Sequence, residues 1–195
     1  MTIRDPVKAL EHASFPQIAE RIAALYNEEE DALLLGMLGQ EYVIRHEGIT
    51  LHGQRAPEAH TSVVIDYLFS SGTTLSMIPW RTISDFIGRS SADFRTKVEA
   101  PLTAYAAEII TRANTILPMV DANIVPSIIG SDMAITVRAL PKVYLHAELS
   151  QETQDFPAEV WVLFSNNAQE FMTLPSLQTM AEMFKERLLS LLRIY

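Results

Sequence analysis

The chain has 195 residues, 48% of them hydrophobic and 20% charged, and it contains no cysteine. That size and balance predict a self-sufficient core and exclude disorder. The missing thiols exclude disulfides, thiolate zinc sites, cysteine-ligated iron–sulfur clusters and cysteine nucleophiles. Fifteen basic residues against 24 acidic ones leave a net charge of −9. Neither a nucleic-acid backbone nor an anionic membrane is therefore an expected partner. The best basic stretch, Arg89, Arg95 and Lys97, is offset by Asp93.

The expected elements run as follows. Asp5 and Pro6 can open a first helix. Phe15, Ile18, Ile22 and Leu25 then fall at helical spacing, behind Pro16. The run Glu28 to Asp31 closes that helix as a solvated connection, which makes residues 1–34 a helical N-terminal segment. Tyr42, Ile44, Ile49 and Leu51 alternate around Glu47-Gly48, which predicts a hairpin with His46 opposite Ile49 and Ile44 opposite Leu51. A helix is expected from Pro57 to Ser70 with Gly72 as its stop, then a mixed segment from Leu75 to Phe86. A long helix is expected from Phe94 to Leu117, closed by Pro118.

The second half alternates more regularly. Met133, Ile135 and Val137, then Val143, Leu145, Ala147 and Leu149, predict two strands joined at Leu140-Pro141. Val160 to Phe164 is apolar on both faces, as a covered strand would be. Leu177, Met180, Phe184, Leu188 and Leu191 give a closing amphipathic helix. The reading is α+β: one globular domain over residues 1–195, with an antiparallel sheet made of an N-terminal hairpin and a C-terminal three-strand meander, packed with helices. No secretory signal and no run of about 20 apolar residues is visible, so a cytoplasmic location is expected.

Chemistry-bearing patterns are few. The five histidines include no pair at metal-ligand spacing, so no metal and no cofactor is expected. The seven glycines form no phosphate-binding pattern. His146 and Glu148 share one strand face, where a carboxylate can poise an imidazole for acid–base work; Asp155, near Glu159, is a second acid candidate. Tyr42, Trp80, Arg81 and Tyr144 are the candidates for ligand binding, Trp80-Arg81 because an aromatic beside an arginine is the composition of a binding hot spot. The same pair can equally anchor a loop to the core.

From about Leu35 onward the chain resembles an uncharacterised family, domain of unknown function 3786, found largely in anaerobic bacteria and archaea. The resemblance rests on Leu38-Gly39-Gln40-Glu41-Tyr42, Ile78-Pro79-Trp80-Arg81 and Leu140-Pro141-Lys142-Val143. It continues through Asp155-Phe156-Pro157-Ala158, Leu163-Phe164 and Leu174-Pro175. Members are often joined to iron–sulfur segments, which this cysteine-free chain cannot reproduce. Where the family commonly has Phe-Asp, this chain has Phe164-Ser165. The resemblance implies a non-enzymatic accessory or binding protein with a protein partner in an anaerobe. The residues themselves leave two alternatives: a small-molecule pocket between helices and sheet, or an enzyme using His146 with Glu148 or Asp155.

Overall fold

Ser14 precedes a short amphipathic helix, α1 (Phe15–Ile22), with Pro16 in its first turn. Ala23 ends it in the left-handed conformation. In this computed structural model, which describes residues 7–87 and 92–194, the expected start at Asp5-Pro6 and the basic Arg89 lie outside the described residues. Leu25 does not continue the α1 stripe. It begins a strand and is 69% exposed.

Five strands, β1 (Leu25–Asn27), β2 (Ala32–Met37), β3 (Gln40–Arg45), β4 (Gly48–Leu51) and β5 (Gln54–Arg55), form an antiparallel meander in chain order. The acidic run is thus the β1–β2 turn, where Asn27 Oδ1 accepts the Glu29 and Glu30 N–H groups. The hairpin lies where alternation placed it, but its register differs: Ile44 pairs with Ile49, Tyr42 with Leu51 and Arg45 with Gly48. His46-Glu47 is the turn, because Gly48 takes φ +151, a conformation that favours glycine, as the first residue of β4. The slip preserves side-chain parity, so Tyr42, Ile44 and Ile49 are still buried together.

A second sheet runs β6 (Ala122–Val125), β7 (Met133–Leu140), β8 (Val143–Ser150), β9 (Glu159–Phe164), again antiparallel and in chain order. The expected single sheet of hairpin plus three-strand meander is therefore two sheets of five and four strands. On the inner face Ile135, Val137, Val143, Leu145, Ala147, Leu149, Val160, Val162 and Phe164 are all buried, as the alternation requires. The β9 margin is closed by donors and acceptors from elsewhere. Val160 N–H donates to Thr103 Oγ1 at 3.1 Å, Val162 N–H to Glu99 Oε1 at 3.1 Å and Phe164 N–H to Arg81 O at 2.8 Å.

The helices cover these sheets. They are α2 (Glu58–Leu68), α3 (Ile83–Ile87), α4 (Ala92–Phe94), α5 (Ala100–Thr103), α6 (Ala106–Ile116), α7 (Ala168–Phe171) and α8 (Leu174–Ile194). The long helix expected from Phe94 to Leu117 is interrupted: a π turn occupies Arg95–Glu99, and the chain breaks step at Ala104-Tyr105 before α6. Pro101 lies inside this run, where it removes a helical donor. α2 ends at Leu68 with Phe69 as its cap, and Gly72 instead packs against the Phe171 ring. On α8 the expected Leu177, Met180, Phe184, Leu188 and Leu191 are all buried, and the helix packs on α2 and α6.

One apolar cluster spans both sheets and the helices. Polar ties cross between the halves as well. Leu38 N–H donates to Ala139 O at 3.1 Å, and the Lys142 ammonium donates to Arg21 O and Thr73 O, each at 2.6 Å. The buried Tyr67 hydroxyl donates to Ile22 O and accepts from Lys142 N–H. Gly39, at φ +71, lets the β2–β3 turn approach Met119 so closely that a Cβ would lie 2.3 Å from its carbonyl oxygen. No described helix is long and apolar enough to cross a membrane.

Candidate functional site

Alternation along β8 sends His146 and Glu148 to the outer face of the second sheet. Thr136 and Leu163 are the cross-strand neighbours of His146, and Ala134 and Trp161 those of Glu148. Two connections cover this face. Trp80, after the cis Ile78-Pro79 bond, stacks on the His146 imidazole with centroids 4.9 Å apart. The loop after β6 brings Ser127 and Ser131 onto Glu148. Both polar side chains are consequently enclosed, at 2% and 1% exposure.

Glu148 is saturated with donors. Its Oε2 accepts from Ser127 Oγ at 2.6 Å and from Ser131 Oγ; its Oε1 accepts from Ile128 N–H at 2.8 Å and from His146 Nε2 at 2.8 Å. Burial alone would push this carboxyl up, but the hydrogen bonds from Ser127, Ser131, Ile128 and His146 outweigh it. They hold the carboxyl below the usual carboxylate range. An ionised carboxylate only accepts, so His146 carries hydrogen on Nε2. Its Nδ1 faces the Thr136 hydroxyl at 3.4 Å. The pair shares a face as the sequence indicated, yet it fastens the 126–131 loop and is walled off by Trp80.

The other sequence candidates disperse. Asp155 lies in the exposed 151–158 loop, its N–H donating to Thr153 Oγ1, and forms no contact with His146. Tyr144 is half-buried opposite Arg138, and its backbone exchanges hydrogen bonds with Ser165. Arg81 anchors its loop through backbone bonds to Phe164 in both directions, while its side chain approaches Asp85 at 3.9 Å. Trp80-Arg81 therefore serves as the loop anchor.

Tyr42 leads to a different place. Its side chain is fully buried beneath α2, and burial pushes its phenol up to about 12, partly opposed by the Arg187 charge. The hydroxyl contacts His60 Nδ1 at 2.8 Å. Burial lowers the His60 value from that of a free imidazole, with Glu186 opposing. A neutral imidazole that accepts from the phenol on Nδ1 keeps its hydrogen on Nε2. His60 lines an open pocket of about 250 Å³ with Leu38, Gln40, Met183, Glu186, Arg187 and Ser190, enclosed by the β2–β3 turn, α2 and α8. Arg187 is half-buried at this pocket, and its Nε, which lies beneath the surface, has no hydrogen-bond partner, as is also true of Arg81 Nε. The Arg187 guanidinium has no ion pair among the described residues. Sequence reading selected Tyr42 but missed His60 and Arg187 as its companions: His60 fits a helix edge, and Arg187 reads as the polar side of α8.

Among the described residues, no group of three or more histidine, aspartate or glutamate side chains is placed to hold a metal ion. A family model described as a domain of unknown function (DUF3786) matches residues 14–187. The match begins earlier than the resemblance at Leu35, taking in α1, β1 and the start of β2. Within the segment 1–34 that the sequence reads as helical, the described residues hold β1 and the start of β2 as well as α1. No curated protein and no solved structure matches the chain.

Proposed function

Because the chain belongs to the DUF3786 family, whose description carries no activity to transfer, we propose from its own side chains that the protein binds a small molecule in the pocket between α2, α8 and the β2–β3 turn. One observation carries this reading: the half-buried Arg187, which has no ion pair among the described residues, lines with His60 an open cavity. A cation at a cavity wall without a carboxylate partner in the protein is available to a ligand that brings one. An open concavity with a few convergent polar groups on an apolar wall is how small-molecule sites are built.

Binding fits better than catalysis. The acid–base pair His146–Glu148 is spent on internal bonds, those from the Ser127 and Ser131 hydroxyls included, and is shielded by Trp80. The test is a thermal-shift and native mass-spectrometry screen of the intact chain against small metabolites, repeated with Ser190→Met, which fills the pocket. Ligand-dependent stabilisation abolished by Ser190→Met supports the reading. No stabilisation from any compound, and no retained mass, overturns it.

A further inference from the structure

Resting on the pocket reading above, we infer that the ligand is a small monocarboxylate with a short aliphatic part. The head-group argument begins at Arg187. Guanidinium is charged at every accessible pH, and its planar fork matches carboxylate oxygens two at a time. Here the side chain lines the pocket and has no ion pair among the described residues. His60, whose proton affinity burial lowers, contacts the Tyr42 hydroxyl through Nδ1, and its Nε2 makes no hydrogen bond among the described residues. It stands in the first turn of α2, whose N-cap position is Pro57 and makes no side-chain cap bond.

The remaining walls narrow the class. Leu38 and Met183 contribute apolar side chains beside the polar Gln40 and Ser190, which suits a short hydrocarbon tail. The volume of about 250 Å³ lies just below the roughly 300–1,000 Å³ of drug-sized sites, which favours a small ligand. Glu186 stands on the same wall with its carboxylate 68% exposed, and only Lys185, 3.6 Å away, offsets it. Together with the net charge of −9, that acid disfavours a dianion such as phosphate or a dicarboxylate, leaving one negative charge to face one arginine.

The experiment is isothermal titration calorimetry of the full chain at neutral pH with sodium butyrate, butyramide and inorganic phosphate. Butyrate is expected to bind, with butyramide and phosphate weaker by about tenfold or more. Arg187→Gln should weaken butyrate by a similar factor. Arg187→Lys, which keeps the charge but loses the fork, should fall between and serves as the test if Arg187→Gln fails to fold. Butyramide binding as tightly as butyrate, phosphate binding more tightly, or butyrate affinity indifferent to the Arg187 variants overturns the carboxylate assignment. If the amide binds and Ser190→Met abolishes it, the pocket stands and only the ligand class falls. If no compound binds and the wider screen is also silent, both fall.

Discussion

Truncating Glu148 to alanine removes the acceptor for four donors: the hydroxyls of Ser127 and Ser131, Ile128 N–H and His146 Nε2–H. Ser131 has a second acceptor in Met133 O, and Ser127 sits at a half-buried loop where its hydroxyl can turn to water. The imidazole has no such exit, because it is 2% exposed and covered by Trp80. Orphaned buried donors cost about 1–3 kcal/mol each, and hydrogen bonds to a charged acceptor lie at the upper end. We expect Glu148→Ala to lose about 4 kcal/mol, which lowers the melting temperature by about 8–16 °C for a chain of this size. The acid limb gives an independent readout. The native state holds this carboxyl below its usual range, so its stabilisation is complete above the unfolded value of about 4.3 and drains away as pH falls through the native value. Circular-dichroism melts across acidic pH should therefore show a shallower decline for Glu148→Ala than for the wild type. A variant melting within about 2 °C of wild type, with an unchanged acid limb, would refute this account.

Other groups give further tests. The His46 ring presents Nδ1 to Leu10 O at 2.6 Å and Nε2 to Asp31 at 3.2 Å, while stacking on Phe15. The Leu10 carbonyl above all, then Asp31, raises its affinity for a proton. Its contribution is complete below about 6.5 and drains away as pH rises through the native value, so the N-terminal segment loosens toward alkaline pH. An NMR midpoint for His46 above about 6.5 is expected; one below it contradicts the assignment. Gly39→Ala would place a Cβ 2.3 Å from Met119 O at φ +71 and should cost about 3 kcal/mol by overpacking and backbone strain, seen as a lower urea midpoint. An unchanged midpoint would mean that the β2–β3 turn and Met119 can part at no cost.

What the sequence disclosed follows from how local each signal is. The faces of β3, β4, β7 and β8 were legible because a period of two survives even a register slip such as Ile44 meeting Ile49. β2 was not, because Ala32 to Leu38 is continuously apolar and lacks the alternation that marks a strand. Four of its six residues are buried, on both faces. β6 is four residues at a sheet margin, too short for periodicity to register. The His146–Glu148 pair was readable from a two-residue spacing, whereas Ser127 and Ser131 reach it from 21 and 17 residues away, and Trp80 from the other half of the chain. Tyr42, His60 and Arg187 meet only through tertiary packing of α2 and α8 against the first sheet, and no local pattern announces such a meeting.

The bonds from Glu99, Thr103 and Arg81 to β9 decide how this molecule meets extended polypeptide. With every other amide along that rim already committed, from Val160 to Phe164, an incoming strand finds no ladder to climb there. Lateral growth of the four-strand layer is left to the opposite border, Ala122–Val125, where Ile124 is 55% exposed and Pro126 limits how far an added chain can run. The layer is one-sided toward strangers, and a single side chain, Glu99, guards the middle of its closed side.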